Sequence, residues 1–357
     1  MYELSALGFD AFFEQQLEGL PPGEAVPARV AAEHRGGYEV WSNAGASQAQ
    51  LAGRLRDELA GEALAGVGDW VMLRGAPDPD GVSVIDRVLR RRTVFLRAAA
   101  GRATGEQVIA ANLDLVFVVC GLDADYNPRR IERYLARIAA SGARPGIILN
   151  KADIGQDVDA RLREVEARAG GAPVHLTSAL RTEGLAEVRE RIEPGMTAAL
   201  VGSSGAGKST IVNALCGEKL MATGEVRARD GRGCHVTSHR QLVLLPGGGL
   251  LLDTPGMREL QLCDDEGLNA VFDEIAELAA SCRFRDCRHD NEPGCAVRQA
   301  VAEGRLDADR LEHLHKLEKE ARAFEIRHDA RLRRKSGRVW GQLHHEAARL
   351  RRWKEGE

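Results

Sequence analysis

The run Gly202-Ser203-Ser204-Gly205-Ala206-Gly207-Lys208-Ser209 constrains this chain more than any other segment. It fits the pattern Gly-x4-Gly-Lys-Ser/Thr in full, and its surroundings fit too. Residues 198–201 are an apolar run suited to a buried strand, and residues 210–215, beginning at Thr210, have the makeup of a helix start. A strand that feeds a glycine-rich turn into a helix aims consecutive backbone N–H groups inward, and the helix dipole adds to their pull on an anion. Such a loop cradles phosphate. Lys208 is the candidate to reach the β- and γ-phosphates, which makes it a catalytic candidate as well, and Ser209 the candidate to hold Mg²⁺. The plain alternative is a glycine-rich turn with no ligand.

Asp253-Thr254-Pro255-Gly256 follows a second apolar run, 250–252. An aspartate there can reach Mg²⁺ through water, and the Gly256 N–H can meet a γ-phosphate, so this loop can sense whether that phosphate is present. Between the two loops lies Gly231-Arg232-Gly233-Cys234-His235-Val236-Thr237-Ser238, a polar stretch suited to ordering by nucleotide. Thr237 is the first choice for a second hydroxyl on Mg²⁺, with Ser238 the alternative. Met257 follows Gly256 where Ras-like enzymes place a water-orienting glutamine, and a methionine cannot do that work. Slow intrinsic hydrolysis is expected. His235 is the nearest polar candidate to position water; the alternative is an ordinary structural or exposed histidine.

A phosphate loop does not choose a base, but Asn150-Lys151-Ala152-Asp153 does. The Asp153 carboxylate can accept both the N1–H and the exocyclic amine protons of guanine, donors that adenine lacks. A wrong base would leave that carboxylate unpaired. Lys151 would lie along the ring and Asn150 would tie loops together. Thr177-Ser178-Ala179-Leu180 caps the next expected strand, where backbone N–H groups can support the base. Ras-like GTPases run phosphate loop, switch, Asp-x-x-Gly, Asn-Lys-x-Asp, Ser-Ala. Here the last two come first, so the order is circularly permuted. A doubly wound sheet tolerates that cut because one surface connection is exchanged for another. Asp253 to Gly256 then sits directly upstream of the C-terminal region, and its movement on hydrolysis is expected to pull on that region.

Strands alternating with helices bear this out as a pattern. Expected strands are 115–119, 146–149, 173–176 and 198–201, with helices 128–140, 159–169 and 185–192 between them, which spells a parallel sheet wound on both faces. Residues 241–245 and 250–252 read as an antiparallel pair. Upstream, short β-like runs at 28–32, 38–41, 69–73 and 82–88 are separated by Gly, Pro and Asp, which points to a small barrel or sandwich, with about one helical turn near 55–59. After Cys263 the strands stop, and 265–280 and 307–324 read as helices.

At 357 residues the chain has room for two or three domains, with 44% hydrophobic and 29% charged residues and no long apolar run. The start lacks the makeup of a signal peptide, so a cytoplasmic protein with no membrane segment is the expectation. Of seven cysteines, Cys282, Cys287 and Cys295 crowd together with His289. Three thiolates and an imidazole suit tetrahedral Zn²⁺, and four protein ligands make the site structural. The net charge of −4 hides a basic tail: from Arg322 to Lys354 there are eleven Lys/Arg against three Asp/Glu, a balance of +8. That surface can attract phosphate, or it can be a solvated helical face.

Together these residues resemble the RsgA/YjeQ family, the bacterial ribosome small-subunit-dependent GTPase A. The likeness also takes in Val67-Gly68-Asp69-Trp70-Val71, Arg91-Arg92-Thr93 and Asn112-Leu113-Asp114. It implies a multidomain chain: an OB-fold β-barrel over 1–98, a central α/β P-loop GTPase with permuted motifs over 99–262, and a mainly helical zinc domain with a basic tail over 263–357. It also implies late maturation of the small (30S) ribosomal subunit, with GTP as substrate, Mg²⁺ and one Zn²⁺ per chain. Contact with 16S rRNA and hydrolysis stimulated by that subunit are implied by the same resemblance, as is a catalytic role for His235. A monomer is expected. Two other readings stay open: a nucleotide-gated RNA-binding or assembly protein for which hydrolysis is incidental, and an ATP-dependent enzyme, which Asp153 argues against.

Overall fold

The first turn of helix α1 (Ala11–Glu14) is held by Asp10, whose side chain accepts from the Phe12 N–H at 3.1 Å. Phe13 on that turn is buried and packs with Phe9 and Trp70, so aromatic contact pins the N-terminus to a residue far along the chain. Next come β1 (Ala25–His34), β2 (Gly37–Ser42), β3 (Gly45–Leu51), α2 (Gly53–Glu58), β4 (Trp70–Arg74) and β5 (Val82–Val88). Alternation drives these strands: Tyr38, Val40 and Ser42 point inward on β2 while their neighbours do not. The strands pair in the order β1-β2-β3-β5-β4, and β4 returns to β1. Only β3–β5 is parallel. A closed five-stranded barrel in this order, with a helix between its third and fourth strands, is an OB-fold. Val30, Val40, Val71, Leu73 and Ile85 fill it. These are the elements that the computed structural model describes within residues 1–18, 25–34, 36–58, 64–77, 81–98, 106–217, 240–253 and 266–328.

A hairpin of β6 (Val94–Ala98) and β7 (Glu106–Ala111) leads from the barrel to the α/β part. The α/β part runs β8 (Leu115–Gly121), α3 (Pro128–Ser141), β9 (Arg144–Asn150), α4 (Val158–Arg168), β10 (Val174–Leu176), α5 (Leu185–Glu190), β11 (Thr197–Val201), α6 (Lys208–Cys216), β12 (Gln241–Leu244) and β13 (Leu250–Asp253). All seven residues of β8 are buried, as a parallel strand covered on both faces requires. Each such aliphatic side chain contributes about 1.5–3 kcal/mol on burial. Helix α3 begins and ends on local chemistry. Asn127 accepts from the Arg130 N–H at 3.0 Å, Pro128 occupies the first turn, and Gly142 closes the helix at φ +82°.

The strand order is β10-β9-β8-β11-β13-β12, parallel except for β12, which runs antiparallel to β13 as its sequence implies. Sequence does not reveal how this sheet meets the barrel. A bulge between Val30 and Ala32 bends β1, and Ala32 then pairs with Gln241 at the start of β12. The two sheets become one ladder of eleven strands. A 3.7 Å ion pair between Arg240 and Glu33 flanks the joint.

The C-terminal part is α7 (Glu266–Val271), α8 (Asp273–Ala279), α9 (Ala296–Ala302) and α10 (Ala308–His328). The single helix expected over 265–280 is broken at Phe272, which leaves helical geometry (φ −113°, ψ 42°) and buries its ring under the Arg310 guanidinium. Ion pairs tie the start and outer face of helix α10 to α3 and α4, while Leu311, Leu314, Leu317 and Ala321 of α10 are buried in the shared apolar core. Arg129 pairs with Asp309, Arg133 reaches Glu320 at 3.0 Å, and Arg168 reaches Asp307 at 3.2 Å. At the centre, fully buried Glu132 takes Arg310 at 2.8 Å and His313 Nδ1 at 2.5 Å. Among the described residues no helix is long and apolar enough to cross a membrane.

Candidate nucleotide site and metal centre

Three loops meet at the carboxyl ends of β8, β9 and β11, where a doubly wound sheet opens its ligand crevice. The loop after β11 turns at Gly202 (φ +141°), Gly205 (φ +80°) and Gly207 (φ +99°), conformations that side chains disfavour. Contact demands two of these glycines as well. A Cβ on Gly202 would stand 2.2 Å from the Val119 carbonyl oxygen, and one on Gly207 would stand 2.2 Å from Asn150 Nδ2. The loop ends on α6, whose first turn has no side-chain cap. Lys208 folds back over the loop, donating to the carbonyls of Gly202 at 2.9 Å and Ser203 at 2.6 Å.

Asn150 ties the loops together from a nearly closed position, 2% exposed. Its Nδ2 donates to the Ala206 carbonyl at 2.9 Å, and its Oδ1 accepts from Thr177 Oγ1 at 3.1 Å and the Ala179 N–H at 3.0 Å. One side chain therefore joins the loops after β9, β10 and β11. The Ala152 N–H adds a bond to the Thr177 carbonyl at 3.0 Å. Asp153 accepts from Ser178 Oγ at 2.7 Å, and its carboxylate keeps further acceptor positions.

The result is a cavity of about 230 Å³ lined by Asn150, Lys151, Asp153, Ala179, Leu180, Gly207 and Thr210, with Ile154 as the one wall that sequence reasoning missed. Leu180 and Ile154 are exposed apolar side chains at its rim, suited to the faces of a flat base. Also missed were Asp123 and Asp125 in the loop after β8. Lys151 Nζ lies 2.5 Å from Asp123 Oδ2, and Ser203 donates its hydroxyl to Asp125. The signal was there in Gly121-Leu122-Asp123-Ala124-Asp125, two acidic residues just past a buried strand at the ligand end of the sheet.

Asp253 closes β13, opposite Gln241, and β13 runs beside β11 with Leu252 level with Ala199. That puts its backbone beside the strand that feeds the phosphate loop. His235, Thr237, Ser238, Thr254, Gly256 and Met257 lie outside the described residues, and so does the basic tail beyond His328.

The second site is 282–295. Cys282 Sγ is 3.6 Å from His289 Nδ1 and 3.9 Å from Cys295 Sγ, and His289 Nδ1 is 3.4 Å from Cys295 Sγ. Cys287 joins them, with all four ligand atoms within 4.8 Å of one another. A Zn²⁺ tetrahedron with ordinary bond lengths has S···S edges of about 3.8 Å and S···N edges of about 3.6 Å. The cluster fits such an ion. Electrostatics agree for two ligands. Burial lowers the His289 pKa, which keeps the imidazole neutral as a ligand must be. Burial works to raise the Cys282 thiol, but N–H groups of Val297 and Ala296 and the neighbouring thiols outweigh it and bring it down. Burial, together with the neighbouring Cys295 and Cys282 sulfurs, leaves Cys287 pushed up to about 11. Cys295 also caps α9, accepting from the Arg298 N–H at 3.4 Å.

A relative from Opitutus terrae, a small ribosomal subunit biogenesis GTPase RsgA, is 45% identical over 351 residues, spanning 96% of each chain. The chain belongs to the RsgA GTPase family. The family's model matches residues 88–263, which take in every strand from β6 to β13, and the cysteine cluster lies beyond it. A Syntrophotalea carbinolica RsgA is 45% identical, covering 87% of each chain. Among solved structures, YjeQ from Thermotoga maritima aligns with a TM-score of 0.63 at 27% identity, over 83% of this chain and 98% of that one. YloQ, described as a circularly permuted GTPase, shares the fold with a TM-score of 0.60 at 24% identity, over 84% of this chain and 96% of its own.

Proposed function

We propose that this chain hydrolyses GTP as a maturation factor of the small ribosomal subunit, docking on its 16S rRNA and leaving after hydrolysis. One observation carries the nucleotide part. Residues that the permuted order scatters from 150 to 210 line a single cavity joined by Asn150. The ribosomal part rests on the relatives, whose names give that role.

In this reading Asp153 pairs with guanine, Lys151 lies along the base, and Ser178, Ala179 and Leu180 close the far side. Gly202 to Thr210 wrap the phosphates, and Lys208 leaves the loop carbonyls to meet the β- and γ-phosphates. Ser209, Thr237 and, through water, Asp253 would hold Mg²⁺, which supplies charge neutralisation for the departing phosphates. Gly256 reads the γ-phosphate. Met257 cannot orient water, so turnover alone is slow, and small-subunit contact positions the water with His235. Cys282, Cys287, His289 and Cys295 hold one structural Zn²⁺. The barrel, the zinc region and the basic tail face rRNA, with domain limits at 98/99 and 262/263, in a cytoplasmic monomer.

Competition against a fluorescent GDP analogue tests the base assignment. GTP and GDP should displace it far better than ATP and ADP, and Asp153→Asn should shift preference towards xanthine nucleotides, whose C2 oxygen accepts from the new amide. Equal displacement by ATP would refute the reading.

A further inference from the structure

The loop between β8 and α3 carries no recognised nucleotide motif, yet it touches both halves of the candidate site. At one end, Lys151 takes a left-handed backbone conformation, φ +67°. That turn sends its side chain back over Gly121, where a Cβ would stand 3.5 Å from Lys151 Cδ and 2.7 Å from Asp123 Oδ1. Its ammonium then ends 2.5 Å from Asp123 Oδ2, with both side chains mostly shielded from water (21% and 30% exposed). Two residues on, Asp125 accepts from Ser203 in the phosphate loop and pairs with Arg130 on α3 at 2.6 Å. The Asp125 N–H donates to Asp123 Oδ1 at 3.1 Å, so the two carboxylates belong to one turn.

We propose that Asp123 and Asp125 are positioning residues, holding the base-site lysine and the phosphate loop in a fixed mutual register. Asp123 acts on the base half through Lys151, and Asp125 acts on the phosphate half through Ser203. A flexible lysine stem is laid along the cavity wall before ligand arrives, so its ordering cost falls on the free protein rather than on binding. The direction of the Asp123 titration agrees. Burial works to raise it, but the Lys151 ammonium and the Asp125 N–H outweigh burial and hold the carboxyl below its usual range. This inference rests on the proposed nucleotide site.

The test compares GMP, GDP and GTP affinities by displacement of a fluorescent GDP analogue, using full-length Asp123→Ala, Asp123→Asn, Asp125→Ala and Asp125→Asn. Asp123→Ala should weaken all three nucleotides by the same factor, about tenfold, with Asp123→Asn intermediate. Asp125→Ala should weaken GDP and GTP while leaving GMP unchanged, and Asp125→Asn serves if the alanine variant does not fold. In a Lys151→Ala background, Asp123→Ala should add nothing further, because it works through that lysine. Additive losses, or equal losses for GMP and GDP in both series together with a lowered apo melting temperature, would mean mere structural support and overturn the proposal. Unchanged affinities would overturn it too. Lys151→Ala and Lys208→Ala separate the two levels of inference. If neither alters GDP binding, the nucleotide-site reading itself fails; if both do while the aspartate variants do not, only the positioning role fails.

Discussion

The nucleotide crevice and the metal centre are built on opposite supports. Val119, Leu149 and Val201, which stand at the strand ends beneath the crevice, are each at most 1% exposed. Between residues 281 and 294 no residue is fully buried, and Cys282, Cys287 and His289 are only half-buried. The crevice is shaped by a sheet core and by Asn150, so ligands enter a site whose backbone is already fixed. The cysteine loop has almost no core of its own; a Zn²⁺ held by its four candidate ligands would supply the missing cross-link. What differs is where substitution should be felt. Changes in the crevice should cost function with little cost in stability, and changes in the cluster should cost local structure first.

The largest effect expected is that of Lys208→Ala. It should lower single-turnover GTP hydrolysis by at least about a hundredfold while leaving the apo melting temperature nearly unchanged. A large drop in melting temperature would erase the contrast between the two regions. Next comes Cys295→Ser, or extraction of zinc by a chelator. Metal content should fall from one per chain towards none, and hydrogen exchange should rise across 281–302 while β8, β9 and β11 stay protected. Protection lost equally in those strands would show that the regions are not independent.

Asn150→Ala lies between the two classes and sharpens the contrast. It strands a buried carbonyl, an N–H and a hydroxyl, so it should cost about 1–3 kcal/mol in urea unfolding and weaken GDP binding together. The smallest effect concerns pH. The Asp123 carboxyl is held below the usual aspartate value of 3.8. Its contribution to stability is therefore fully present above that value and lost as pH falls through its lowered folded-state pKa. Urea unfolding of wild type and Asp123→Asn should differ most near neutral pH, and the difference should shrink as pH falls below 3.8. A difference that stays constant across that range would show that the Asp123 charge contributes nothing.

Local chemistry made part of this molecule legible. The phosphate loop, Asn150 to Asp153 and the cysteine cluster announce themselves because each needs certain residue types at close spacing, and β8, β9 and β11 because both faces are buried. The capped ends of α3 were equally readable from Pro128 and Gly142. What stayed hidden depends on distant partners. Asp123 and Asp125 look like surface acids until the fold brings Lys151 and Ser203 to them. The break at Phe272 arises from the place α10 offers its ring, and the joining of barrel to sheet depends on a single bulge in β1. Strand β3 escaped notice because its sequence, Gly-Ala-Ser-Gln-Ala-Gln-Leu, buries only small side chains. Helix α9 is short and starts on a cysteine whose capping role no sequence rule assigns.

GTP turnover with and without purified small subunits decides whether this permuted GTPase waits for a ribosomal partner. Turnover should be slow alone, rise on adding small subunits, and lose that rise as salt screens the phosphate contacts. Turnover that stays the same with subunits present, at every salt concentration, would contradict that dependence.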